Sequence, residues 1–503
     1  MAGIAVALVL IPQSLAYSEL AGLPALHGLY VAAVAPIAAA FIGSSPYLQT
    51  GPVAMTSLLT LGALTPFATQ GSATYVGLAA LLAVFVGISR LAMGIFRVGS
   101  IAYLMSQPVV AAFTVAASLL IVASQVPTLL GVRGEGANPL LSAVSALIHP
   151  QHWNAVALAF GVGALALILL GRRLGPRVPV VLLVSIAALV VSVLIDFTGP
   201  QVGHLASGTP PLTPSLPWSM SSTLIVPAII IAVVGFAEPS SIARRYAAAE
   251  RTHWDPDREM IGQGLANTAS GLFSGYPSGG SFSRSALNKL SGATSRWSGG
   301  ITGVAVLLIV ATPVIGTLSR LPKSVLAGLV IAAVLSLIEV SPFTRLWRAS
   351  KAQFVVAITT FLGSLLLAPR VERAVVLGVA VSFIVHLWRE LRLHIVHEID
   401  GTTLHVHPSG VLYFASAPLL ERRINEILAD HPQADRVVLH LGGLGRIDIT
   451  GILVLRSLAD HAVEENFTLE LADVSPGAAR LVARVLPELA TEVTDSVPDN
   501  AAG

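Results

Sequence analysis

Apolar runs recur about every 25 to 35 residues from residue 3 to residue 387, the length of one membrane crossing plus a loop. Reading each as a helix places spans at 3–17, 26–42, 47–64, 75–96, 101–122, 156–170, 178–195, 223–243, 260–273, 277–290, 301–318, 324–338, 354–367 and 371–387. That is seven and seven, divided by a loop at 196–222. The third and tenth runs are not continuous apolar helices. GSSPYLQTGPVAMTSLL (43–59) and SGYPSGGSFSRSALNKL (274–290) each read as a Gly/Ser turn, a short extended stretch and a helix start. Pro52 is expected at or near the first turn of one such helix, and Phe282 near the start of the other. Extended backbone at membrane depth leaves N–H and C=O groups unpaired unless it is buried in protein or lines a wet cavity.

After residue 392 the period changes. Short runs at 403–407, 411–414, 436–441 and 468–472 read as strands, and 417–429, 450–464 and 477–485 as helices. Strands alternating with helices predict a small α/β domain. The expected division is 1–392 for the membrane domain, 393–492 for the α/β domain and 493–503 for a disordered tail.

Charge tests the span count. With an even number of spans both ends share one side. Put in the cytoplasm, that side holds Arg97, Arg172, Arg173, Arg177, Arg244, Arg245, Arg251, Arg258, Lys289, Arg296, Arg345, Arg348, Lys351, Arg389 and Arg392. The opposite loops hold only Arg133, Arg320, Lys323, Arg370 and Arg373. This is the positive-inside asymmetry, and losing one span would scramble it. Seven spans per half is odd, so the halves enter from opposite sides and form an inverted repeat.

Composition agrees. Of 503 residues, 54% are hydrophobic and 11% charged, against about 25% charged in soluble proteins. A net charge of +2 gives no argument for nucleic acid, and with no cysteine there is no disulfide, thiolate metal site or Cys nucleophile. The phosphate loop G-x-x-x-x-G-K-[ST], H-E-x-x-H and G-x-S-x-G are absent from the sequence. No enzyme and no cofactor is expected, and any energy source must be an ion gradient. No cleavable signal is visible, and the apolar run follows Met1 almost at once, so a short leader is expected to precede it.

The candidate chemistry sits in the broken spans and in two proline-bearing ones. Half-helix starts present free N–H groups and partial positive charge, an anion site. Arg284 adds a full charge; the alternative is an arginine snorkelling to the inner face. Ser281 and Ser283 are anion donors or helix caps. In LIPQSLAYS (10–18), Gln13 follows Pro12 and either donates to the anion or bonds across helices. Tyr17, one turn on, and Val53 are candidate cavity walls. In GFAEPSSIA (235–243), Glu238 precedes Pro239. A carboxylate in mid-span costs a few kcal/mol on insertion scales, about 2.5–3.5. It is read as a coupling residue that takes up and releases H+ or, as the second candidate, Na+, or as a permanent partner of Arg284. His405 and His407 share a strand face without a second ligand pair, so a solvated face is expected rather than a metal site.

With these runs in hand the chain resembles the sulfate permease (SulP) family, which includes pendrin and prestin. The matching runs are IPQSLAYSELAGLPALHGLY (11–30), 43–59, the Glu238 run, GGSFSRSALN (279–288) and GRIDITGILVL (445–455). The resemblance implies a polytopic α-helical membrane protein of fourteen spans as a seven-plus-seven inverted repeat. It also implies a core domain moving against a gate domain, a C-terminal cytoplasmic STAS domain and a homodimer. It places Gln13, Tyr17, Val53, Ser283 and Arg284 at the anion and Glu238 at cation coupling. Thr450 falls where related domains carry a phosphorylated serine, though a plain helix cap is the expected role. The implied function is a bacterial inner-membrane secondary transporter of small anions (sulfate, bicarbonate, chloride or dicarboxylates), H+-coupled by an elevator-like mechanism. An uncoupled exchanger or channel, or a membrane-tethered signalling protein, are the alternatives.

Overall fold

The structure, a computed structural model, describes residues 1–100, 106–136, 138–175, 178–213, 216–390, 393–413, 416–474, 482 and 484–485. The predicted helix at 477–485 falls almost wholly outside the described residues, and the tail at 493–503 does so completely. The chain divides into two compact units, Met1–Ser382 and Phe383–Gly503.

The first half of the membrane unit runs α1 (Ala2–Leu20), α2 (Ala25–Ile42), β1 (Thr50–Gly51), α3 (Ala54–Leu64), α4 (Ala73–Ile95), α5 (Gln107–Leu129), α6 (Pro139–Ile148), α7 (Ala155–Gly171) and α8 (Val180–Leu194). The second half repeats that order: α9 (Ser221–Glu250), α10 (Pro256–Leu272), β2 (Gly279–Gly280), α11 (Phe282–Leu290), α12 (Trp297–Ala311), α13 (Lys323–Leu335), α14 (Ser341–Ala349), α15 (Lys351–Leu366) and α16 (Val371–Glu390). In each half the third crossing is a two-residue strand plus a short helix. In each half a short helix, α6 or α14, lies between the fifth and sixth crossings. Among the described residues seven helices are long and apolar enough to cross a bilayer alone; the other crossings are shorter apolar helices or half-helices.

Two details differ from the sequence reading. Helices α6 and α14, of ten and nine residues, fall between the predicted spans, since neither is long enough to cross a bilayer. The run at 301–318 is not one helix: α12 stops before Pro313 and the chain bends by 81° into a 3-10 stretch, Pro313–Arg320. Proline removes the N–H that would continue the helix and disfavours helical backbone before it. Pro52 lies near the first turn of α3, as expected, one residue before the N-cap Val53.

Packing sorts the helices into two groups, and the sorting is the same in both halves. The first four crossings of each half, α1–α4 and α9–α12, pack on one another, as α4 on α10 and α2 on α12. The remaining ones, including α5, α7, α8, α13 and α15, pack together, as α13 on α7 and α15 on α5. Helix α1 is the main contact between the groups, touching α13, α8 and α5. Small residues let α4 and α10 approach backbone to backbone. A Cβ on Gly87 would stand 2.4 Å from the Thr268 backbone nitrogen, and one on Gly271 would stand 2.4 Å from the Ala80 carbonyl oxygen. Gly87→Leu is therefore expected to lower the folded yield severely, read by size-exclusion profile and Tm. A wild-type Tm would show that α4 and α10 can separate without penalty.

The second unit holds a five-stranded mixed sheet. β4 (Thr403–Leu412) pairs antiparallel with β3 (His394–Asp400) and parallel with β5 (Arg436–His440) and β6 (Leu444–Ile447); β5 pairs parallel with β7 (Thr468–Ala472). Helices α17 (Ala417–Asp430) and α18 (Ile449–Glu464) cover Leu404, Val406, Val437 and Leu439 with Leu420, Ile424, Ile452 and Leu455. The predicted strands at 403–407 and 411–414 are one strand, with Phe414 outside the described residues. The α18 N-cap is Asp448, whose Oδ1 accepts from the Gly451 N–H at 2.8 Å. Thr450 is inside the first turn, so it is not the cap. His405 and His407 lie against His440, the first at 3.1 Å from ring nitrogen to ring nitrogen and the second stacked at 4.2 Å between centroids. Among the described residues no group of three His, Cys, Asp or Glu is placed to hold a metal. Because this unit has its own core, truncation after residue 392 is expected to leave a membrane unit that inserts and runs as a single species by size exclusion. Loss of all inserted protein would contradict that independence.

Candidate functional site

The two half-helices are joined by a minimal sheet. Thr50 pairs with Gly280 and Gly51 with Gly279, antiparallel. The Ser281 N–H donates to the Gln49 carbonyl at 3.1 Å, and the Gln49 N–H donates to Ser285 Oγ at 2.9 Å. Since α3 starts three residues after Gly51 and α11 two after Gly280, the pairing brings both helix N-termini to one place. Each contributes unpaired N–H groups and about half a positive charge. Ser281 is the N-cap of α11, its Oγ accepting from the Arg284 N–H at 3.5 Å and lying 3.3 Å from Ser283 Oγ.

Arg284 bridges the halves. Its side chain leaves the first turn of α11, is 1% exposed, and donates from Nη2 to the Pro52 carbonyl at 2.9 Å and from Nη1 to Gln13 Oε1 at 3.3 Å. The displacement of Pro52 from α3 is what leaves its carbonyl free to accept. Arg284 Nε is buried and donates to no protein atom. The salt bridges formed among the described residues do not include Arg284, so the permanent pair with Glu238 is not formed within 4.0 Å.

A cavity of about 460 Å³ reaches this arginine, many times the ~10–15 Å³ that one water needs. Val9 and Gln13 of α1 and Ser283 and Arg284 of α11 form one wall; Ile168 of α7 and Leu329 of α13 stand opposite. The walls therefore belong to the two helix groups, with Gln13, Ser283 and Arg284 on one side and Arg172 and Ser336, at the ends of α7 and α13, on the other. Of the predicted site residues the cavity brings together Gln13, Ser283 and Arg284. Tyr17, Val53, Ser281 and Glu238 do not line it. Tyr17 is buried within Coulombic reach of Arg284 and Glu238. Val53 is buried at the α3 start, packed against Gly279. Glu238, half-buried on α9, faces the Phe282 backbone amide at the α11 start.

Two charged residues that support the site escaped the sequence reading. Arg90, fully buried in α4, donates to the carbonyls of Ala232 and Ile231 in α9 at 3.0 and 3.4 Å and of Ser278, just before β2, at 3.2 Å. Glu259, buried in the first turn of α10, accepts from the Ser44 and Ser45 amides at 3.0 and 2.8 Å. The signal for Arg90 was a lone cation within an apolar run.

Comparison with known proteins decides the family. Residues 1–360 match the sulfate permease family and residues 394–486 the STAS domain. The chain belongs to the sulfate permease family. A probable sulfate transporter of Mycobacterium tuberculosis is 32% identical over 94% of this chain and 88% of its own length. A chloroplastic sulfate transporter of Arabidopsis thaliana, 4.1, is 29% identical over 96% of this chain and 76% of its own. In fold, the chain is similar to the murine Slc26a9 anion transporter in its inward-facing state, with TM-score 0.86, 20% identity and coverage of 96% and 86%. The transmembrane domain of the cyanobacterial bicarbonate transporter BicA matches at TM-score 0.64 and 19% identity, covering 76% of this chain and 95% of that one. This family member is thus a multi-pass membrane anion transporter with a C-terminal STAS domain, and not an enzyme.

Proposed function

We propose that the chain is a secondary active transporter that binds a small oxyanion at Arg284, between the α3 and α11 N-termini. It carries the anion by moving the helix group of α1–α4 and α9–α12 against the other group. The observation that carries this reading is a buried guanidinium without a carboxylate partner, at the floor of a cavity between the two helix groups and beside the N-termini of two half-helices. An anion held by Gln13, Ser283 and Arg284 would travel with the group of α1 and α11, leaving behind Arg172 on the opposite wall, which donates to the Ala332 carbonyl. Sulfate is the first substrate to test, since both relatives are named for it; bicarbonate, chloride and dicarboxylates present the same charge to the same donors.

Coupling is assigned to Glu238 and to H+, with Na+ as the second candidate ion. Glu238 faces the α11 start from behind and stands clear of the cavity, so it senses the anion's charge through Arg284 and the helix end. Its distance from the cavity lining is also the observation that favours uncoupled exchange as a second reading. We place both termini in the cytoplasm of a bacterial inner membrane, on the charge asymmetry of the loops, and expect a homodimer. The test is uptake of radiolabelled sulfate into proteoliposomes, with the other anions as competitors and with an imposed pH or Na+ gradient. Accumulation driven by the pH gradient supports the proposal. Exchange indifferent to both gradients supports the uncoupled reading, and no anion flux at all leaves a membrane-tethered signalling protein.

A further inference from the structure

A second space lies at the other end of α1. It measures about 380 Å³ and is lined by Ala16 and Glu19 of α1, Thr65 after α3, Gln125 and Thr128 of α5, and Lys323 of α13. Like the cavity at Arg284 it lies between the two helix groups, but it does not touch Gln13, Ser283 or Arg284. The two spaces contact α1 on either side of the turn from Gln13 to Ala16, a rise of roughly 4.5 Å. The site is thus open to one end and shut from the other.

What joins the groups at the shut end is an ion pair. Lys323, the first residue of α13, places its Nζ 2.8 Å from Glu19 Oε2. The other salt bridges among the described residues of the membrane unit stay inside one group or its connections: Lys289–Glu250 joins α11 to α9, and Arg320–Asp196 joins segments flanking α13 and α8. Glu19 and Lys323 are 23% and 34% exposed in their side chains, so water and solutes in the vestibule reach them. When the group of α1 slides past the group of α13, this pair must break. Lys323 then stays on the vestibule wall, its ammonium unpaired beside the neutral polar side chains of Gln125 and Thr128 of α5. Glu19 moves away with the anion site.

We propose that the vestibule is a second anion station, for the same small oxyanions, with Lys323 as its cation. Glu19 occupies that cation while the route to Arg284 is shut, so the pair is both gate and placeholder. The inference rests on the transport reading above and deepens it by assigning the far side of the route. An anion arriving from the vestibule competes with Glu19 for Lys323, which ties opening of the gate to arrival of substrate. A neutral solute has no such lever.

The chain has no cysteine, so one introduced thiol reports without background. Thr128→Cys lines the vestibule and is labelled in nanodiscs with a bulky maleimide. Removing a half-exposed ion pair shifts a two-state balance modestly, so Glu19→Gln and Lys323→Gln are each expected to speed labelling roughly twofold to fivefold. The charge-swapped double variant, Glu19→Lys with Lys323→Glu, should return the rate toward that of Thr128→Cys alone. Unchanged labelling in both single variants would overturn the gate. In proteoliposomes supplied with sulfate from the vestibule side, Lys323→Gln should raise KM several-fold. Its sulfate affinity at Arg284, titrated in detergent, should stay at the wild-type value. An unchanged KM would overturn the station. Labelling that shifts as expected in a protein without any anion flux would sustain the gate and sink the transport reading instead.

Discussion

Arg284→Ala is expected to weaken sulfate binding by roughly 30-fold or more, about 2 kcal/mol, the usual loss when one member of a buried hydrogen-bonded charge pair is truncated. The two helix N-termini remain, each worth about half a charge, so binding is reduced and not abolished. The substitution also leaves the Pro52 carbonyl and Gln13 Oε1 without their 2.9 and 3.3 Å donors, which loosens the junction of β1 and β2. Arg284→Lys separates the two effects. It keeps the charge and loses the planar fork that reaches Pro52 and Gln13 together, and should fall between wild type and Arg284→Ala. Titration with sulfate, beside a Tm for each variant, reads the outcome. Wild-type affinity in a folded Arg284→Ala protein would remove Arg284 from the site.

Glu238→Gln should lose nearly all accumulation driven by a pH gradient while retaining anion binding and exchange. The side chain keeps its shape and resembles the protonated carboxyl, so the start of α11 and the Phe282 amide it faces are undisturbed. What disappears is the ability to change charge. On the proposed coupling, the site gains negative charge when an anion enters, a proton at Glu238 compensates it, and the proton follows when the anion leaves. A glutamine fixes that balance in one state, so the anion still exchanges down its own gradient but no longer draws on the proton gradient. The measurement is the steady-state sulfate ratio across proteoliposomes with the inside alkaline. A Glu238→Gln protein that concentrates sulfate as well as wild type would assign Glu238 a structural role and coupling to another group.

The crossings were legible because each is a long apolar run, and the half-helices were legible because Gly, Ser and Pro interrupt those runs where an unbroken helix would not. The start of α11 at Phe282 and the extended backbone before it follow from residues 274–290 alone. The register of the junction does not. Local preference puts Pro52 at or near the first turn of α3 without choosing; pairing of Thr50 and Gly51 with β2 leaves it just before the N-cap, and Arg284 from the other half holds its carbonyl. Such a contact spans 232 residues and leaves no local trace. Helices α6 and α14 were hidden by length, since a count of spans passes over helices of ten and nine residues. Strands β3 and β6 were hidden by weak alternation, the first reading HIVHEID and the second only four residues long. Ser281 proved to be a cap, as the sequence allowed, whereas Thr450 did not: Asp448, two residues earlier, takes the Gly451 N–H first.

Arg90 and the pair of Glu19 with Lys323 show a different limit. Each was visible as a charge in or beside an apolar run, but what a charge does depends on its partner. Arg90 serves three backbone carbonyls that stand close only after α4, α9 and the approach to β2 are packed. Lys323 looks like an ordinary outer-loop cation until α13 is laid against α1.

The central claim is that the anion sits at Arg284 between the two half-helix starts. The most direct measurement is an experimental structure with selenate, a heavier stand-in for sulfate, located by its anomalous scattering. The account predicts a peak in the cavity within hydrogen-bond reach of Arg284 and Ser283, adjoining Gln13, and its loss in Arg284→Ala. A peak elsewhere with none at Arg284, or one that persists unchanged in Arg284→Ala, would contradict it.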